Sequence, residues 1–543
     1  MLLTSLPPSP SLLGTIPFFL FDGLADDRDV GSEARLSPWT LAALTAAVFL
    51  LLFSRSMSRF MDLDEHQFVA PPLLLNQDGL LPYRDYPYFH MPNLVFLYAV
   101  VLQWLPYKLL AARTVSVLCG TATVMLLFGT GWNWLTGFTR RQRWLWAGGI
   151  CAIYLCSRLF TYTDGWAWNH DSAVLCATGA VLAYSRGLQV VRWRWFAFAG
   201  FLMGLAIGIR LSFGLMFVPM GLCLLFVPSK LSWRQRWVSL GVAAIAANLA
   251  LAPAWYFLLT CPDQFIFGNF DYPRINTLFY REITTKCLSL SDKIGYFGKS
   301  FFSDPGNACL LLGFGGAVFA AMKKLRAWGD PAAHMGVLLI VLFPFLWAGV
   351  LGPSPTHYQY QYMLLPIMTL AIFAAIAAHA IRGNAAPRAW RVWIVCGIVA
   401  TVGTGLPRWY WPAYNLPFVS EWVPVQVHHK GMWVSAHVPP GARVLTIDPM
   451  VPLEAGVEIY PDYAVGRFIV LAGEVTNAAE RQRYHLTYSE QLDRLFREHP
   501  PGAIFTDART AQDAQPLMDH IHNWRVFEFP TPDGAAKVWQ SPP

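Results

Sequence analysis

Apolar residues in this chain gather into runs long enough to cross a bilayer, separated by short basic segments or by longer acidic and aromatic ones. A crossing needs roughly 17–25 predominantly apolar residues. On that measure the pattern predicts about eleven spans, at 38–54, 112–137, 144–163, 172–188, 195–209, 211–228, 237–258, 308–322, 334–351, 362–381 and 390–406. The piece Leu94 to Leu105 is too short to be one of them. It ends at Pro106 with Lys108 just beyond, and predicts a juxtamembrane or re-entrant helix on the outer side. After position 408 the pattern changes. Arg443 to Ile447, Ala503 to Thr506, Arg525 to Phe529 and Lys537 to Trp539 read as short strands, and Ser489 to Glu498 has helical spacing. The expected fold is mainly α: a polytopic membrane bundle over 38–408, preceded by a cytoplasmic segment 1–37 and followed by a small extracytoplasmic α/β domain over 409–543.

Composition sharpens this picture. With 55% hydrophobic residues and only 13% charged ones, the 543-residue chain has too few charges to cover a soluble surface. The net charge of +7 conceals an asymmetry, since residues 409–543 hold 10 Lys/Arg against 15 Asp/Glu. The basic surplus therefore lies in the membrane part, where it reports topology, and no nucleic acid is expected as a partner. Five clusters carry it: Arg140, Arg141 and Arg143; Arg186, Arg192 and Arg194; Lys230, Arg234 and Arg236; Lys323, Lys324 and Arg326; Arg382, Arg388 and Arg391. The positive-inside rule sets all five in the cytoplasm. The polar loops between alternate spans then share the outer face. No N-x-S/T sequon occurs, which favours a bacterial inner membrane with a periplasmic face. Of nine cysteines, only Cys261 and Cys287 fall outside apolar runs, and they can pair if their loop faces an oxidising compartment.

Chemistry concentrates on that outer face. The stretch Asp62 to Asn93, nearly all of it in an outer loop 55–92, holds Asp64, Glu65, Asp85 and His90 among prolines and tyrosines. Trp168-Asn169-His170-Asp171 opens a span, Arg210 interrupts an apolar stretch, and His357-Tyr358 precedes another. Ionisable residues near membrane depth are expensive and tend to serve a site. The structural alternatives are interfacial acids for Asp64-Glu65, a snorkelling Arg113, a helix cap for Asp171 and interfacial anchoring for the tyrosines. The 259–307 loop, with Tyr272, Arg274, Tyr280 and Arg281, is a candidate cover.

An Asp-Glu shortly after the first span, a G-x-x-PYRDY-like segment (Gly79, Pro82 to Tyr88, Pro92) and an Arg opening the next span (Arg113) together resemble the GT-C glycosyltransferases. Within them the chain is most similar to the protein O-mannosyltransferase and lipid A aminoarabinose transferase branch. The Asn-His-Asp at 169–171 and the G-L-A-x-G-x-R at 204–210 extend the likeness over roughly 38–380. The resemblance implies a glycosyltransferase that takes a polyprenyl-phosphate sugar on the outer side and passes it to a glycan, lipid or protein acceptor. Asp64 matches the family's catalytic acid. Met91-Pro92, preceded by His90, stands where the family often has Lys-Pro, so a usual phosphate contact is missing or replaced. On chemical grounds Asp64 is the candidate general base, with Glu65 beside it. Asp171 could orient the acceptor, or with Asp64 hold a divalent metal. Arg210, Arg113, Lys108 and His90 are the candidates for the lipid phosphate, and His357 and Tyr358 for the donor path, with Asp85 and His170 as further substrate contacts. The competing reading is a transporter or flippase of an anionic lipid, which predicts paired repeats and midplane broken helices. No internal repeat is found.

Overall fold

The computed structural model describes residues 36–283, 289–322, 331–353, 355–380 and 388–542. Most of the expected segment 1–37, Cys287, the basic cluster Lys323, Lys324 and Arg326, and Arg382 lie outside the described residues. Cys261 is buried.

The chain is mainly helical. Among the described residues seven helices are long and apolar enough to cross a membrane: Pro38–Ser58, Lys108–Trp134, His170–Val190, Pro305–Met322, His334–Leu351, Tyr358–Ala378 and Arg388–Asn415. Trp233–Ala250 and Ala252–Thr260 are together long and apolar enough for an eighth, as a broken span or a re-entrant loop, bent by 62° where Pro253 sits in the first turn of the second piece. Two other expected spans are shorter apolar helices, Trp193–Ile209 and Leu211–Phe226. The stretch expected as 144–163 is divided among a π-turn and the helices Gly149–Cys156 and Arg158–Thr163. Leu94 to Leu105 becomes the ten-residue helix Asn93–Leu102.

Two segments expected as loops are ordered differently. Within 55–92, residues Leu63–Asp78 form a helix despite Pro71 and Pro72. It is held at its start by a capping box: the Asp62 side chain accepts from Asp64 N–H at 2.9 Å, and Glu65 accepts from Asp62 N–H at 3.0 Å. Gly79, at φ +67°, ends it in the left-handed conformation that glycine adopts without strain. The 259–307 segment likewise contains the helices Tyr272–Ile283 and Leu290–Phe302.

A glycine row decides where the Arg210 backbone lies. On Trp193–Ile209, a Cβ on Gly200 or Gly204 would fall 2.0 Å from Ala243 O or 2.3 Å from Ala247 O, so only glycine lets this helix lie directly on Trp233–Ala250. Gly208 makes the same close approach to Asn93. The helix then stops at Arg210, whose backbone turns extended.

Toward the C-terminus a four-stranded sheet runs in the order β1-β2-β4-β3, from Val444–Leu445 (β1), Ala503–Thr506 (β2), Arg525–Thr531 (β3) and Gly534–Gln540 (β4). β1 and β2 are parallel, and β4 is antiparallel to both β2 and β3. The strand runs and the helix Glu490–Glu498 fall where the sequence pattern puts them. The helix Arg388–Asn415 continues unbroken through position 408, where the sequence suggests a boundary. This C-terminal part is tied firmly to the rest. Glu454 accepts from the N–H groups of Lys108 (2.8 Å) and Leu109 (3.1 Å), capping the Lys108–Trp134 helix from a distant part of the chain. Met450 N–H donates to His66 Nδ1, and His66 Nε2 lies 3.3 Å from Asp448 Oδ1.

Candidate active site

Because the capping box fixes the first turn of Leu63–Asp78, three successive side chains leave it in different directions. Asp64 reaches a cavity of about 260 Å³. Glu65 and His66 are buried elsewhere, Glu65 against Arg113 and His66 against Asp448.

The cavity is lined by Asp62, Asp64, Gln67 and His90 from the 62–90 region, and by Asn169 and His170 from the start of the next long helix. Arg210, His357 and Tyr360 add to it from further along the membrane part. Tyr272, Asn276 and Tyr280 stand four residues apart on one helix, so one face of Tyr272–Ile283 forms part of the wall. Tyr272 is fixed by stacking on Phe89, ring centroids 4.0 Å apart. Arg467 and Phe468 bring the C-terminal part into the same cavity.

Asp64 is half-buried, and among the described residues its carboxylate accepts one long side-chain hydrogen bond, from Gln67 Nε2 at 3.5 Å. Burial, and next the Asp62 carboxylate, push its carboxyl up to about 7, against the opposing attraction of Arg467 and Arg210. Arg210 Nη1 lies 3.2 Å from Asn169 Oδ1 and 3.3 Å from His170 Nε2, and its guanidinium packs over the Tyr360 ring at 4.6 Å. Burial, and then Arg210, lower His90 to about 3 and His357 to about 4, so both imidazoles are neutral. His90 Nε2 is 2.8 Å from Gln67 Oε1. The arrangement places a proton acceptor of near-neutral pKa in one cavity of about 260 Å³ with two guanidinium groups. That combination can deprotonate a hydroxyl and hold a phosphate.

Six residues expected at the site are not among those lining the cavity. Arg113 directs all five of its donors inward, to both Glu65 oxygens (2.8 and 2.7 Å) and to the carbonyls of Ser56, Arg59 and Phe60. No donor is left for a phosphate. Glu65 is saturated in the same way, accepting also from Ala167 N–H at 2.9 Å. The pair is a structural bolt between the helices Leu63–Asp78 and Lys108–Trp134. Lys108 Nζ donates to the carbonyls of Leu102 and Leu105, closing the end of Asn93–Leu102. Asp85 holds its own turn, accepting from Leu81 N–H and from Arg84. The Tyr358 hydroxyl accepts from Asn307. Asp171 accepts from Gly165 N–H at 2.9 Å, shaping the turn before its helix. Asp64 and Asp171 therefore do not face each other in one cavity. Among the described residues no group of three or more His, Cys, Asp or Glu is arranged to hold a metal ion. Arg274 and Arg281 are exposed.

Sequence reasoning missed Arg467, Phe468, Gln67, Asn276 and Asp62. The spacing of Tyr272, Asn276 and Tyr280 carries a signal once a helix is assumed, but nothing near Gly466-Arg467-Phe468 separates it from an ordinary surface turn.

The helices long and apolar enough to cross a membrane define the class, a multi-pass membrane protein, and comparison with solved structures gives its fold. In particular, the chain is similar to the crystal structure of ArnT from Cupriavidus metallidurans bound to undecaprenyl phosphate, with 13% identity and a TM-score of 0.57 over 93% of this chain and 98% of that one. The apo state of ArnT from the same organism gives 13% identity and a TM-score of 0.56 over 92% and 97%. At that identity the likeness is one of fold. No family model matches the chain, and no curated protein matches it in sequence.

Proposed function

We propose that this protein is an integral-membrane glycosyltransferase that moves a sugar from a polyprenyl-phosphate donor to an acceptor hydroxyl on a glycan, lipid or protein. The observation that carries the reading is the meeting of Asp64 and Arg210 in one cavity. The similarity to a structure bound to undecaprenyl phosphate supports the choice of donor.

In this mechanism the acceptor hydroxyl sits against Asp64, whose carboxylate takes its proton as the oxygen attacks the anomeric carbon. The bond from that carbon to the phosphate oxygen breaks, and its electron pair leaves with the lipid phosphate. Arg210 meets the developing negative charge with a charge-assisted hydrogen bond. Neutral His90 and His357 add dipoles without adding charge.

Basic clusters on the alternate loops favour a setting with the cavity and residues 409–543 on the periplasmic side of an inner membrane, and residues 1–37 in the cytoplasm. In that setting the shorter apolar helices complete a bundle of about eleven membrane segments.

Asp64→Asn tests the base role. Sugar transfer by the purified protein should fall by roughly 10²–10⁴ with folding and donor binding preserved. Turnover close to wild type would remove Asp64 from the chemistry. Arg210→Ala should weaken undecaprenyl phosphate binding about tenfold or more, the worth of a charge-assisted contact. Unchanged affinity would remove it from the donor site.

A further inference from the structure

Arg467 stands in the same cavity as Asp64 and Arg210 but is supplied by the far end of the chain. Its placement is built rather than incidental. Gly466, at φ +65°, makes a tight turn in which a Cβ would lie 2.8 Å from Ile447 O and 3.4 Å from His66 Cβ. The turn is closed by Gly466 N–H donating to Tyr463 O at 2.8 Å. It thus packs on the residue two places after Asp64, and the next side chain is directed at the cavity.

The guanidinium is lightly committed. Nη1 meets Asp513 Oδ2 at 3.1 Å, and both side chains keep solvent contact, 25% and 35% exposed. A single half-solvated pair of this kind contributes little. Arg113, with every donor engaged, shows what a purely structural arginine looks like in this protein. The charges also need Arg467. Asp62 and Asp64 face Arg210 and Arg467, with His90 and His357 neutral. A lipid phosphate bringing further negative charge beside Asp64 meets only one cation if Arg210 acts alone. Part of Arg210 is already turned to Asn169 and His170.

We propose that Arg467 is a second phosphate-gripping residue, carried to the lipid-phosphate site by the C-terminal part of the chain and working together with Arg210. The proposal rests on the donor reading given above. Donor binding then joins the membrane helices to the C-terminal sheet region through one phosphate group, and Arg467 supplies hydrogen bonds that Arg210 cannot make in its own geometry.

The test is titration of the full-length protein in nanodiscs with undecaprenyl phosphate. Arg467→Ala should weaken binding about tenfold, and Arg467→Lys, which keeps the charge but loses the planar fork, should fall between it and wild type. Asp513→Asn releases Arg467 from its ion pair and should bind as tightly as wild type or more so, with unliganded thermal midpoints matched across the set. Wild-type affinity in Arg467→Ala, with affinity lost in Arg210→Ala, overturns this proposal and leaves the proposed function standing. Equal weakening in Asp513→Asn and Arg467→Ala also overturns it, because the ion pair would then be the relevant contact. Wild-type affinity in both Arg467→Ala and Arg210→Ala overturns the donor reading itself.

Discussion

Glu65 grips Arg113 through both carboxylate oxygens, with neither side chain exposed, immediately beside the half-buried Asp64. Neighbours in sequence thus have opposite environments. Removing one partner of a buried pair strands the other charge, at a cost of about 3–5 kcal/mol. Arg113→Met alone should therefore lower the thermal midpoint sharply. Glu65→Gln with Arg113→Met should recover part of the loss, because no unpaired charge remains and the amide oxygen still accepts from Asp62 N–H, and undecaprenyl phosphate affinity per folded molecule should match wild type in the double variant.

The pH dependence follows from Asp64. A base works deprotonated, so with its carboxyl pushed up to about 7, kcat/KM should rise with pH below about 7 and level off above it. Stability runs the other way. Folding raises this carboxyl above its ordinary 3.8, so the folded chain holds a proton that the unfolded chain has released. The contribution favours folding at low pH and is lost as pH climbs through about 7. Asp64→Asn should consequently be the more stable protein at about pH 8 by thermal unfolding, and should lack the acidic limb in any residual activity.

Lys108 and Arg210 separate a helix-closing cation from a cavity-facing one. Lys108→Met leaves the cavity lining intact and should keep undecaprenyl phosphate affinity within about twofold, while Arg210→Met should reduce it about tenfold or more. Equilibrium binding on the purified variants reads both.

Gly204→Ala inserts a methyl group 2.3 Å from Ala247 O. The two helices must move apart, at about 1–3 kcal/mol, and Arg210 six residues on should shift with them. Both the thermal midpoint and phosphate affinity should fall. Gly241→Ala, on the facing helix, meets nothing within 4 Å and should be neutral or stabilising, since alanine is the better helix former.

The membrane helices were legible because lipid demands long apolar runs, and the C-terminal strands because alternation and turn residues mark them. The helix Leu63–Asp78 was not. Its Pro71-Pro72 reads locally as a breaker, and the Asp62 capping box and the burial of Glu65 to Leu74 hold it. For the site, Asp64, Arg210, His90, His170 and His357 share one cavity, as polar residues stranded near apolar runs suggest. Arg113 and Lys108 belong to the same chemical class and looked equally suitable. Whether a cation closes on carbonyls or faces a ligand depends on partners scattered along the chain, such as Ser56 and Phe60 for Arg113. Arg467 was hidden for the converse reason: its tie to the cavity runs through Gly466 and His66, far apart in sequence.

Arg467 and Phe468 form part of the wall around Asp64. The ribosome reaches them only after every described membrane-spanning helix has been made. A nascent chain already threaded into the lipid therefore has Asp64 and Arg210 in place but an unfinished vessel around them, and the wall closes only once the segment around Gly466 has been made.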